Sequence, residues 1–577
     1  MMDKMMRIEG KPVSEGYAVG PVYMMKKVTD RQVIHAYGEV EQELNRFQQA
    51  IEKSIEDLNQ LYKRMLEKHG ESEAKIFEAH REMLSDIEMH NQIEEEIRKT
   101  KCCAEWAVKT VGDQFVALFE GMDNPYFQER ALDIKDITNR LIKNLMGQED
   151  EYNLSVPSII VAKDLTPSET CLLDKDKVLG IITEKGGQTS HSAIIARMLN
   201  IPYIVVPGIL GDIDMDMDVA MSGSDGRLII NPKDDIIDEF KELMQVQSQE
   251  QERYKTVKGL ESISLDGHLI SMKANIGSLE DMNQVMMSDA QGIGLFRTEF
   301  MYMNRKDLPT FKEQVKIYSE IIDKMEGKPV TFRTLDIGGD KKSDLFNIPE
   351  EMNPFLGFRG IRLCLEERDL FKTQLKAILV AALKGYAKIM FPMIASIQEL
   401  WQAKDVLYEA QKELDMEAIE YSKKVPVGMM IETPSSVIMA DLFAKEVDFF
   451  SIGTNDLIQY TLATDRMNPK VAYLYSGYDP SILRSIKKVT TAAKSENIDV
   501  SICGELGADI NLLAYWLDCG IDSLSMSASS IEKSKWYIRH SDISKTKRLL
   551  EKVDEMCSEK QMHELMQEIT KNTFQSS

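Results

Sequence analysis

No apolar run in this 577-residue chain is long enough to span a bilayer, and its first residues lack the charged-then-apolar order of a secretory leader. Cysteine is scarce: Cys102, Cys103, Cys171, Cys364, Cys503, Cys519 and Cys557 are the only seven. An odd count without any C-x-x-C pair argues against a disulfide framework and against a thiolate zinc site. These absences predict a reducing, cytoplasmic setting. Positive charge is also in deficit, with 70 Lys and Arg against 94 Asp and Glu and a net charge of −24. That balance speaks against nucleic acid as a partner. An acidic chain that handles a multiply charged anion must therefore gather its arginines locally.

The length exceeds what one core supports, so two to four domains are expected. Short strand-like runs broken by glycine turns fill the first twenty-odd residues, from Ile8-Glu9-Gly10 to Val22-Tyr23. Val40, Leu44, Phe47, Ile51, Ile55, Leu58, Tyr62 and Met65 then recur at helical spacing. Similar faces around Phe77 to Ile97, Trp106 to Phe119 and Ala131 to Leu141 predict a helical bundle. Strand signals return at Ser158–Ala162, Val178–Ile182, Tyr203–Val206 and Leu228–Ile230. The fold class expected is α/β and multidomain. Residues 1–25 and 147–231 form an α/β domain, residues 26–146 an inserted bundle, and residues 232–260 a connecting helix. Over residues 261–577, eight strand-like runs alternate with helical stretches, from Leu269–Asn275 to Ile521–Ser525. That rhythm is the signature of a (β/α)8 barrel.

Two segments carry chemistry. In the first, Gly186-Gly187-Gln188-Thr189-Ser190-His191 leads into the apolar run from Ala193 to Leu199. Thr189 or Ser190 suits an N-cap, and the free N–H groups of a helix start would face an anion. A histidine there can accept a phosphoryl group. By itself the segment fits a capped helix with a surface histidine equally well.

The second segment is the barrel mouth, where the C-terminal strand ends gather. Arg297, Arg333, Arg359 and Arg466 supply planar forks that match phosphate and carboxylate oxygens. Glu432 and Asp456, on adjacent strands, suit a magnesium ion that takes further oxygens from substrate. Cys503 can deliver a proton to carbon. Singly, each has a plainer reading as a salt bridge or a small core residue; on one rim they describe a site for phosphoenolpyruvate.

The motifs Gly186-to-His191, Asp164-Leu165-Thr166-Pro167-Ser168, Leu295-to-Phe300, Asp336-to-Lys341, Asn353-to-Arg359, Phe449-to-Leu457 and Cys503-Gly504-Glu505 occur in one order. In them the chain resembles the phosphoenolpyruvate-protein phosphotransferases, the Enzyme I family of bacterial sugar phosphotransferase systems. The resemblance runs from Gly10 to about Ile531. It implies that His191 is phosphorylated, and that Arg297, Arg333, Arg466, Asn455 and Asp456 bind phosphoenolpyruvate with Arg359 and Lys341 nearby. It also implies that Glu432 and Asp456 ligate Mg2+ and that Cys503 protonates the enolate. By the same resemblance, the bundle docks the carrier protein HPr, the barrel domain forms a homodimer, and the histidine domain swivels between two stations.

Gln188 stands where that family often carries arginine, so altered phosphohistidine rate or stability is expected rather than inactivity. The wording after Glu505 and the loop Tyr475-Ser476-Gly477-Tyr478 also depart from the family pattern. Pyruvate phosphate dikinase and phosphoenolpyruvate synthase share the histidine and barrel motifs, but require a nucleotide-binding domain for which no glycine-rich ATP loop is present. A non-catalytic, carrier-binding regulatory relative is the other alternative; intact His191, Glu432, Asp456 and Cys503 count against it.

Overall fold

The computed structural model describes residues 5–25, 35–69, 71–120, 125–147, 154, 156–166, 169–170, 173, 177–186, 191–215, 217–279, 281–303, 305, 307–339, 345–346, 348, 351–468 and 470–574. The chain divides into two compact units, residues 1–250 and 251–577. Among the described residues, no helix is long and apolar enough to cross a membrane.

In the first unit, β1 (Met6–Glu9), β2 (Lys11–Ser14) and β3 (Tyr17–Met24) are followed, among the described residues, by five α-helices before the sheet resumes. These are α1 (Val40–His69), α2 (Glu71–Leu84), α3 (Ile87–Thr100), α4 (Ala104–Glu120) and α5 (Pro125–Leu145). The periodicity read from sequence explains their packing. Phe47, Ile51 and Leu58 of α1 share one core with Met89, Ile93 and Ile97, which recur every four residues along α3. Asp86 caps α3 by accepting the N–H of Glu88, and Lys101 closes it in the left-handed region. Arg46 ties α1 to α4 by pairing with both Glu43 and Glu105.

The chain leaves the sheet after β3 and re-enters beside it, because β4 (Ser158–Ala162) pairs with β3 in parallel. β5 (Val178–Thr183), α6 (His191–Met198), β6 (Tyr203–Val205), β7 (Asp218–Ser222) and β8 (Arg227–Ile230) complete an eight-stranded mixed sheet, ordered β1-β8-β7-β3-β4-β5-β6-β2. All five residues of β4 are buried, as a central parallel strand requires. α7 (Asp234–Lys255) follows; at 1.5 Å per residue it is about 33 Å long. It buries Ile236 and Phe240 against Ala220 and Ile229 of the sheet.

The second unit is a closed barrel of eight parallel strands. They are β9 (Ser271–Ile276), β10 (Ile293–Arg297), β11 (Val330–Arg333), β12 (Ala387–Phe391), β13 (Val427–Ile431), β14 (Phe449–Ile452), β15 (Asp499–Ile502) and β16 (Ser523–Met526). Each falls within or one residue beyond a run expected from sequence, so the α/β, multidomain class with a TIM-type barrel holds. The outer helices start at designed stops: Thr310 with Glu313 and Ser396 with Glu399 form capping boxes, and Asp479 caps the helix Pro480–Ser495. Leu295, Met390, Met430, Phe449 and Cys503 form a separate apolar cluster from the inward faces of the strands. Beyond residue 540 the chain is largely helical, and Met562, Leu565, Met566 and Ile569 of the helix Glu559–Phe574 join the barrel's outer core.

Candidate active site at the barrel mouth

Parallel closure puts every strand's C-terminal end on one face, and a cavity of about 470 Å³ opens there. Seven residues singled out in the sequence line it: Arg297, Arg333, Glu432, Asn455, Asp456, Arg466 and Cys503. They come from the ends of β10, β11, β13, β14 and β15 and from the segment after the helix Thr454–Thr461. A second cavity of about 650 Å³ lies alongside and shares Arg297, Gly504 and Glu505 with the first.

The two strand-end arginines are held differently. Arg333 is 5% exposed, with Nη2 donating to Glu299 Oε1 at 2.5 Å and Nη1 lying 3.1 Å from Asp336 Oδ2. Burial works against its charge, but Glu299 and Asp336 more than offset that, so its pKa lies above the ordinary arginine value. Its backbone is braced as well: Thr298 Oγ1 donates to the Arg333 carbonyl at 2.7 Å, and Gln374 Nε2 donates to Thr298 at 2.9 Å. Arg297, by contrast, makes no hydrogen bond or ion pair with any described residue while lining both cavities.

Glu432 is fully buried. Its Oε1 accepts the N–H of Met393 at 2.5 Å, whereas Oε2 has no hydrogen-bond partner among the described residues. Met393 makes that contact from the left-handed region at φ 57°, a conformation a methionine adopts only when its surroundings impose it. Burial, then the nearby Asp456 and Asp336, push the Glu432 carboxyl up to about 8. An orphaned buried carboxylate oxygen is costly unless something positive meets it. Room for such a partner exists because residue 453 is glycine: a Cβ there would come within 2.9 Å of Glu432 Oε2. Asp456, in the first turn of its helix, offers the second carboxylate. Two hard oxygen donors beside an anion pocket suit magnesium, which completes its shell with water and substrate oxygens. Among the described residues no trio of His, Cys, Asp and Glu forms a closed cation cage.

Cys503 is 3% exposed, with Sγ 3.5 Å from the Ile452 carbonyl that accepts from it. Burial, with Glu432 adding to it, pushes the thiol up to about 11, so it faces the cavity protonated at neutral pH. Asn455 is oriented by Glu505, donating Nδ2–H to Oε1 at 3.3 Å, and by Tyr475, whose hydroxyl donates to the Asn455 carbonyl at 3.3 Å. Burial raises the Tyr475 phenol to about 12 although Arg466 pulls the other way. Tyr475, in the loop that departs from the family pattern, also lines the cavity.

Arg359 is not in the wall. It lies 1% exposed behind it, donating to Asp336 at 3.1 and 3.2 Å, to Asp456 Oδ1 at 3.1 Å and to Tyr460 Oη at 3.1 Å. Arg359, expected near substrate, stands behind the wall, and Glu299 and Asp336, which share motifs with the site arginines, are the carboxylates that hold Arg333 and Arg359. In the first unit, His191 is the first residue of α6. Gly187, Gln188, Thr189 and Ser190, and with them the expected helix cap, lie outside the described residues, as do Pro167, Ser168, Asp340 and Lys341.

Three family models match: the PEP-utilising enzyme PEP-binding domain over residues 251–543, the PEP-utilising enzyme N-terminal region over 9–130, and the mobile domain over 154–226. Full-length relatives agree. The phosphoenolpyruvate-protein phosphotransferase of Priestia megaterium is 44% identical over 539 residues, covering 92% of this chain and 93% of its own. Those of Staphylococcus carnosus (40% over 573 residues; 98% and 99%) and Bacillus subtilis (43% over 530; 91% and 93%) are similar to it along nearly the same span. The chain therefore belongs to the phosphoenolpyruvate-protein phosphotransferase family of PEP-utilising enzymes.

Proposed function

We propose that this chain moves the phosphoryl group of phosphoenolpyruvate onto His191 and then onto a histidine of the carrier protein HPr, releasing pyruvate and driving sugar uptake from the cytoplasm. The observation that carries this reading is one cavity holding anion-binding arginines, an unpartnered buried carboxylate oxygen and a protonated thiol. Arg297, Arg333, Arg466 and Asn455 bind the phosphate and carboxylate ends, with Arg333 already aimed by Glu299 and Asp336. The resemblance alone adds Lys341 to this set. Mg2+ held by Glu432 and Asp456 would, when bound, offset charge developing on the phosphoryl and enolate oxygens.

An unprotonated ring nitrogen of His191 forms the P–N bond as the bond from phosphorus to the enol oxygen breaks. The enolate then takes a proton at its methylene carbon from Cys503 Sγ, becoming pyruvate, and the thiolate regains a proton from water. The same ring must reach both the barrel mouth and the carrier. Residues 1–25 and 147–231 accordingly swivel on the 232–260 linker, residues 26–146 dock HPr, and residues 261–577 dimerise.

The test supplies purified protein with phosphoenolpyruvate, Mg2+ and an HPr-type carrier. Pyruvate and phosphorylated carrier are expected in equal amounts with no nucleotide added. Pyruvate turnover that needs ATP or inorganic phosphate would overturn the assignment.

A further inference from the structure

Five side chains in the cavity wall and behind it alternate in sign: Glu299, Arg333, Asp336, Arg359 and Asp456. Each neighbouring pair is in contact, from Arg333–Glu299 at 2.5 Å through Arg333–Asp336, Arg359–Asp336 and Arg359–Asp456 at 3.1 Å. Glu299 and Asp336 are wholly buried, and Arg359 is 1% exposed. Charges so deep persist only with partners on every side. Starting at Glu299, the chain of pairs links cavity-lining Arg333 to cavity-lining Asp456 through Asp336 at its centre.

Asp336 receives Arg333 on one side and both hydrogen bonds of Arg359 Nη2 on the other. Arg359 then presents Nη1 to Asp456 Oδ1, leaving Asp456 Oδ2 without a partner among the described residues. Tyr460 fixes the same Nη1 from outside, its hydroxyl bonded to the Phe355 carbonyl. The backbone is shaped to permit this. Gly338 (φ 110°) and Gly360 (φ 56°) adopt conformations that favour glycine. A Cβ at Gly338 would come within 2.5 Å of Arg359 Cβ, and one at Gly360 within 3.1 Å of Asp336 Oδ1.

We infer that Asp336 and Arg359 are positioning residues: Asp336 restrains Arg359 so that it holds one oxygen of Asp456 and leaves the other for a divalent cation. This rests on the reading that Glu432 and Asp456 hold that cation. Asp336 sets the balance. With its charge present, Arg359 is shared between two carboxylates; without it, Arg359 turns wholly to Asp456 and competes with the cation.

The test measures Mn2+ binding to the full-length protein by electron paramagnetic resonance, without phosphoenolpyruvate, alongside kcat and KM. Wild type should bind Mn2+ and Glu432→Gln should not; a wild type that binds none removes the parent reading together with this one. In Asp336→Asn the Mn2+ dissociation constant should rise about tenfold. In Arg359→Gln it should stay level or fall, because a competing cation is gone, while kcat drops about tenfold and KM for phosphoenolpyruvate changes less. The double variant Asp336→Asn/Arg359→Gln should bind Mn2+ within about threefold of wild type, and it serves if the single Asp336 variant does not fold. Equal weakening of Mn2+ binding in all three variants would show a merely structural role. An Asp336→Asn protein that binds Mn2+ like wild type would equally overturn the inference.

Discussion

Arg297 and Arg333 end adjacent strands and line the same cavity, yet their replacement by methionine should fail in different ways. Arg333 neutralises Glu299 and Asp336, both wholly buried. Arg333→Met takes one buried cation from Glu299 and leaves Asp336 with Arg359 alone of its two arginines, which costs on the order of 3–5 kcal/mol of barrel stability. Arg297 has no ion pair or hydrogen bond with a described residue to lose. Arg297→Met should therefore leave stability within about 0.5 kcal/mol of wild type. What it removes is a charge-assisted hydrogen bond to substrate, about 1.5–3 kcal/mol. At about 1.36 kcal/mol per factor of ten, kcat/KM falls roughly 10- to 100-fold. Urea unfolding measures the first quantity; pyruvate release coupled to lactate dehydrogenase measures the second. The reasoning fails if Arg297→Met unfolds as early as Arg333→Met, or if its kcat/KM stays within about twofold of wild type.

Cys503→Ala should lower kcat for pyruvate formation about 100-fold, the scale of a lost general acid, with KM for phosphoenolpyruvate little changed; an unaltered kcat would place the proton donor elsewhere. Because the Cys503 thiol is pushed up to about 11, its thiolate fraction, and with it alkylation by iodoacetamide, should rise about tenfold per pH unit between pH 8 and 10. A plateau below pH 9 contradicts that environment. Thr310 accepts the Glu313 N–H at 3.3 Å while Glu313 accepts the Thr310 N–H at 2.8 Å. Thr310→Ala should cost about 1 kcal/mol in urea unfolding and leave kcat/KM untouched, since this cap serves an outer helix.

The barrel is legible in the sequence because each strand is a short apolar run between polar helices, a pattern that burial on both faces demands. Where the ladder stops is not legible. The run around Pro329–Asp336 reads as one strand, but the Leu335 N–H turns to the Gln374 side chain at 3.0 Å, a partner 39 residues away. β7 escaped notice because Asp212, Asp214, Asp216 and Asp218 crowd its start and mask the apolar Val219-Ala220-Met221. The order of the mixed sheet depends on pairings such as β1 with β8, over two hundred residues apart, which no local period encodes. At the mouth, residue type at the strand ends points to six of the seven groups that meet, and the family resemblance adds Asn455. Residue type could not separate Arg359 from the other arginines, because direction of approach depends on Asp336 and Tyr460 rather than on spacing.

The central claim is that His191 carries the phosphoryl group. The most direct test incubates the protein with labelled phosphoenolpyruvate and Mg2+, without carrier, and maps the label by peptide mass under alkaline conditions. One acid-labile phosphoryl group at His191 is expected, with an equal amount of pyruvate, and none in His191→Ala. Label on another residue, or undiminished pyruvate release by His191→Ala, would contradict the account.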